Sequence, residues 1–262
     1  MNLLKSEYRK LVYTRSFYLY IGVAIFLSVL STISAPLSIN ALKSQFSGSG
    51  LMNSQLVDSI YGKATSGYLI AILLGIALMG NEYQNGQAIS TFLATPKRMK
   101  VLYAKLIIAA GAGIFLMFIS TGIGLIGAYI SLKHFTHAKP DSSAFLNVPI
   151  AAIVSGAVLA IMGVAVGALI RNVRIASTGS MIWLGVIEKL IVLLWATGGK
   201  YLPSGLILGM LNLHITAKPF RKLLDLSTAN YFGPGISITL LLLYAAIFAY
   251  IGSWVSLRRD IN

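Results

Sequence analysis

The polar segment at residues 81–106, NEYQNGQAISTFLATPKRMKVLYAKL, holds the residues best spaced for chemistry, and that chemistry is docking. It opens with the Glu82 carboxylate, is bracketed by Gly86 and Pro96, and closes on Lys97, Arg98, Lys100 and Lys105. Between the brackets, Ala88, Ile89, Phe92 and Leu93 share one face of a helix about two turns long. A short helix with such a face in a polar segment needs a partner. A groove on another protein would bury it; the lipid interface or the chain's own first helix would also serve. A second polar point, Glu188-Lys189, interrupts an otherwise uncharged stretch. Charges within a membrane span cost about 2.5–3.5 kcal/mol each on insertion scales. Adjacent residues on a helix point in different directions, so Lys189 is expected to snorkel toward the headgroups while Glu188 faces inward. There Glu188 is either a polar point on a translocation route or part of a structural ion pair beneath an outer loop.

Catalytic chemistry finds no support. The chain has no G-x-x-x-x-G-K-[ST] phosphate loop, no G-x-S-x-G and no H-E-x-x-H. Its seven acidic residues are scattered, and it has no cysteine and only three histidines. No catalytic residue, metal site or cofactor is expected.

The elements that must position these residues are spans. Uncharged stretches run over 16–42, 64–81, 106–132, 142–170, 175–199 (broken at Glu188-Lys189) and 226–257, and a span needs about 20 mostly apolar residues. Composition agrees: 56% hydrophobic, 11% charged, mean hydropathy +0.79. The expected fold is an all-α membrane protein with six transmembrane helices. No soluble domain fits between them, so residues 1–262 form one membrane domain. A net charge of +14 would suit nucleic acid only as a stripe on a soluble surface. Here the basic residues gather at span ends, which points to membrane lipids as partner.

Residues 1–15 carry Lys5, Arg9, Lys10 and Arg15, with Leu4, Tyr8 and Leu11 at i, i+4 and i+7. This predicts an amphipathic interfacial helix. The apolar run after it is too long for a signal peptide and is read as a retained span. With both termini in the cytoplasm, that side receives twelve basic residues: Lys5, Arg9, Lys10, Arg15, Lys97, Arg98, Lys100, Lys105, Arg171, Arg174, Arg258 and Arg259. Eight fall on the other side: Lys43, Lys63, Lys133, Lys139, Lys200, Lys218, Arg221 and Lys222. The bias puts the termini inside. The uncharged stretch 201–217 contains Pro203, Gly205, Gly209, Asn212 and His214. A crossing there would put Arg258 and Arg259 outside, so 200–227 is read as an outer re-entrant or interfacial helical element. Gly156, Ala160, Gly163 and Gly167 give the fourth span a small face for close packing within the chain. Tyr18, Tyr20, Trp195, Tyr201 and Trp254 fall near span ends as interface anchors.

The pattern Gly80, Glu82-Tyr83, Gly86, Pro96-Lys97-Arg98 and Lys105 resembles the first cytoplasmic loop of permease subunits of ATP-binding-cassette type-2 exporters. With six spans, a basic amphipathic start and an outer element before the last span, the resemblance covers essentially the whole chain. One departure is Gln87, where that family often has Thr. The resemblance implies that residues 81–105 are a cytoplasmic coupling loop. Ala88, Ile89, Phe92 and Leu93 would lie on a coupling helix seated in a cleft of a separate ATPase subunit, with Glu82 anchoring its start. ATP and magnesium would be bound by that partner. The permease would pair as a homodimer or with a related permease, and export an amphipathic or hydrophobic substrate such as a peptide, drug or lipid-like molecule. Similar permeases often carry Glu in the fifth span, followed by a Leu-Pro pair such as Leu202-Pro203. The expected location is a bacterial plasma membrane. Two other classes stay open on the residues alone: a secondary transporter or channel, and a non-transporting membrane assembly protein.

Overall fold

The computed structural model describes residues 3–45, 60–86, 98–135, 142–211 and 231–258, and every regular element among them is helical. Helix α1 (Leu3–Tyr13) breaks at Thr14 and α2 (Arg15–Gln45) follows. A 3-10 turn (Lys63–Gly67) leads into α3 (Tyr68–Gln84). Then come α4 (Arg98–Phe135), α5 (Ser142–Ile170) and α6 (Val173–Ile182). A π-helical segment (Trp183–Ile187) joins α6 to α7 (Glu188–Leu194). The short α8 (Ala196–Gly199), α9 (Pro203–Leu211) and α10 (Pro234–Arg258) complete the order.

Six of these stretches are long and apolar enough to cross a membrane: Arg15–Ser34, Ile60–Gln84, Met99–Ser131, Leu146–Ile170, Val173–Val192 and Pro234–Trp254. The chain is thus a multi-pass helical membrane protein. Its second and fourth spans are 67% and 61% buried, whereas the first, fifth and sixth are each 22% buried. The centre is therefore α3 against α5, with α4 beside them and the other spans outside. Helix α4, with 38 residues, is about 57 Å long, so it extends well past a hydrocarbon core of about 30 Å.

Small residues set the central contacts, as the fourth-span pattern predicts. A methyl group at Gly75 would strike the Ala160 carbonyl, one at Gly163 would strike the Ile72 carbonyl, and Gly113 and Gly156 meet backbone to backbone. Such approach lets dispersion act where lipid tails offer no hydrophobic drive. Hydroxyls secure the 3-10 turn. Ser28 Oγ lies 2.7 Å from Ser120 Oγ and 3.1 Å from the Ala64 carbonyl oxygen, while Ser31 donates to the Lys63 carbonyl at 2.9 Å. In a bilayer such side chains satisfy carbonyls that an α-helix would otherwise pair.

Helix α1 departs in detail from its expected face. Leu11 turns into the bundle together with Glu7, while Leu4 and Tyr8 stay exposed. Pro203 opens α9, where its missing N–H removes no bond. The described part of α9, Pro203–Leu211, covers about 14 Å and is buried, with Leu206, Ile207 and Met210 in the core. It is a helical element before the last span; residues 212–227 of the expected element lie outside the described residues.

Candidate functional site

Four charged side chains from three elements converge at one end of the bundle. Glu82 sits in the last turn of α3 and Lys105 lies in the third turn of α4, one near each end of the polar segment. Glu7 and Lys10 come from α1. Lys105 Nζ is 2.6 Å from Glu7 Oε2 and 2.6 Å from Glu82 Oε1. Lys10 Nζ is 2.8 Å from Glu7 Oε1 and 3.0 Å from Glu82 Oε1. Two cations and two anions thus alternate in a closed, neutral ring. Lys105 is only 3% exposed, and burial is tolerable because each charge has opposite neighbours with hydrogen-bonding geometry. Burial alone would raise the Glu7 carboxyl, but the Lys105 ammonium and the bonds from Lys10 and Lys105 outweigh it and hold the group below its ordinary value. Burial likewise opposes the charge on Lys10, yet bonds to Glu7 and Glu82 raise that ammonium above its ordinary value. A cavity of about 80 Å³ adjoins the ring, lined also by Thr14, Phe17, Tyr20 and Asn81.

The end of α3 is held on its other side too. Asn85 N–H donates to the Asn81 carbonyl, and Gly86 follows at φ +67°, the left-handed conformation that commonly ends a helix. Tyr83 lies under the Arg171 guanidinium, whose carbon is 5.0 Å from the ring centroid. Gln84 Nε2 donates to Asn172 Oδ1 at 3.3 Å. Asn172 Oδ1 also accepts from the backbone N–H groups of Arg174 and Ile175, capping α6. Arg171 is the one non-glycine described residue with positive φ, at 56°, a conformation costing about 1–2 kcal/mol. It turns the chain sharply between α5 and α6, next to Tyr83.

Of the residues singled out from sequence, Glu82 is therefore in a built site. Ala88, Ile89, Phe92 and Leu93 lie outside the described residues. Sequence reading missed Glu7, Lys10 and Lys105 as partners of Glu82. One signal was present: Glu7 is the lone acidic residue of a basic helix and precedes Leu11 by four residues, on the same face.

Glu188 forms a second polar point. Ala176, Ser180, Leu184 and Glu188, each four residues on, are all buried. In an α-helix each such step overshoots a full turn by about 40°; the wider π-helical turn at Trp183–Ile187 offsets the drift and keeps Glu188 inward. Its Oε2 accepts the Ser204 backbone N–H at 3.0 Å, satisfying one of the unpaired donors that open α9. The Trp183 side chain and the Ser204 hydroxyl approach the same carboxylate, although Oε1 lacks a hydrogen bond of regular geometry. Lys189 is exposed, so the two adjacent charges diverge. Glu188→Gln, which keeps an acceptor for Ser204, should unfold close to wild type. Glu188→Leu leaves that N–H unpaired and should cost about 1–3 kcal/mol, read by thermal unfolding in detergent; equal losses would remove the capping role.

Among the described residues no three His, Cys, Asp or Glu side chains gather to hold a metal. No protein-family model matches the chain, and no curated protein matches it.

Proposed function

We propose that this chain is the membrane subunit of an ATP-driven exporter of the ATP-binding-cassette type-2 kind. The observation that carries the reading is the anchoring of both roots of the polar loop. Glu82 at its start and Lys105 at its end are joined to each other and to α1, while Tyr83 and Gln84 hold the turn between α5 and α6. A load applied at 87–97 would pass through these contacts to α1, α3, α4 and α6. Since the chain has no phosphate loop, ATP and magnesium belong to a separate ATPase subunit. Closure of two such subunits on a dimer of permeases, identical or related, would bias the bundle between inward-open and outward-open states. An amphipathic or hydrophobic cargo suits the scarcity of charge in the spans. A secondary transporter or channel would need a polar pathway, and one oxygen of the Glu188 carboxylate in the fifth span is instead taken up by the Ser204 N–H.

The proposed orientation places both termini in the cytoplasm of a plasma membrane, with the Glu7–Lys105 ring at the cytoplasmic boundary. Single cysteines in this cysteine-free chain test it with a membrane-impermeant thiol reagent applied to intact cells. Ser47→Cys should label and Asn262→Cys should not. The reverse pattern would invert the account.

A further inference from the structure

Helix α1 has two differently equipped sides. Its inner side carries Glu7 and Leu11, both buried. On the outer side, four-residue steps place Leu4, Tyr8 and Val12 in one row and Lys5, Arg9 and Tyr13 in the next. Leu4 is 44%, Tyr8 57% and Tyr13 84% exposed, and Lys5, Arg9 and Arg15 are exposed as well. The only acidic residue of the helix, Glu7, is turned inward and held by Lys10 and Lys105. The free side is therefore an apolar row beside a basic and aromatic row, with no negative charge, on a helix that runs directly into the first span.

We propose that the Lys5–Arg9–Tyr13 row of α1 binds the anionic phospholipid headgroups of the leaflet on which it lies, so that anionic lipid tightens the seat of α1 over the Glu82–Lys105 pair. The apolar row fixes the depth, with Leu4 and Val12 in the acyl boundary and the tyrosines at headgroup level. That depth places the Lys5 and Arg9 charges among the phosphates. Charge complementarity selects the occupant: a neutral surface meets only the apolar row, whereas an anionic one meets both. Each basic residue near an anionic surface contributes about fivefold in affinity, so the two together give roughly thirtyfold. The inward contacts of Glu7 make the lipid's effect structural, because a helix held from outside opens its inner ring less often. The inference stands whether or not an ATPase joins the chain.

The test uses the full-length protein in lipid nanodiscs of phosphatidylcholine alone or mixed with phosphatidylglycerol, followed by hydrogen exchange. Wild-type α1 amides should be roughly thirtyfold more protected in the anionic discs, and raising the salt concentration should shrink that increment. In Lys5→Gln with Arg9→Gln the increment should vanish, while α5 amides report an intact bundle. Equal wild-type protection in both lipids, or an increment that survives in the double variant, would overturn the proposal.

Discussion

Lys105→Met should destabilise the folded protein by about 3–5 kcal/mol, the largest loss of any single change in the charged ring. Lys105 is almost fully buried and contacts both carboxylates at 2.6 Å; methionine keeps the length but leaves Glu7 and Glu82 sharing Lys10 alone. Lys10→Met should lose far less, about 1 kcal/mol or under, because its side chain is 42% exposed and water can take its place. Chemical unfolding in detergent separates the two, and similar losses would contradict the ring's asymmetry. The same ring gives a pH signature. With its folded value held below the ordinary 4.5, Glu7 contributes stability that is present above pH 4.5 and is lost as pH falls below it through the folded value. Lys10, raised above 10.5, acts oppositely: its contribution is complete below pH 10.5 and disappears as pH rises through its folded value. Glu7→Gln should flatten the acid limb.

On the proposed function, Phe92→Asp should break association with the proposed ATPase subunit while leaving the chain inserted. A charge placed in a desolvated docking contact is among the most disruptive single changes at an interface, and a weakening of at least roughly thirtyfold is expected. Insertion should survive because position 92 falls in sequence between the apolar stretches Ile60–Gln84 and Met99–Ser131. Membrane extraction and gel filtration would establish folding, and the ratio of ATPase to permease after purification would give the effect. A normal ratio would remove the loop helix from the account.

The spans were legible because uncharged runs of this length have few other homes. A helical element before the last span was legible for a related reason, since Pro203 favours the start of a helix. The charged ring was not. Its members stand at positions 7, 10, 82 and 105, and nothing local pairs residues of α1 with the two ends of a loop; only packing of α1 across α4 does. Glu82 could be singled out by its place at a span end, without its partners. At Glu188 the inward direction followed from the cost of charge in lipid. Its partner Ser204 depends on how α9 folds back, and the π-helical segment that aims the carboxylate leaves no mark in the residues Trp183–Ile187. Small residues in the fourth span announced a close approach, but that α3 and α4 are the neighbours comes from topology.

Isolation of the wild-type chain from its own membrane in mild detergent is the most direct test of the exporter reading. An ATP-hydrolysing subunit should co-purify at one copy per permease chain, its hydrolysis should respond to transported substrate in reconstituted vesicles, and Phe92→Asp should abolish both. If the wild-type chain purifies without any ATPase and its vesicles pass solutes without ATP, the chain is a channel or secondary transporter and the central claim is wrong.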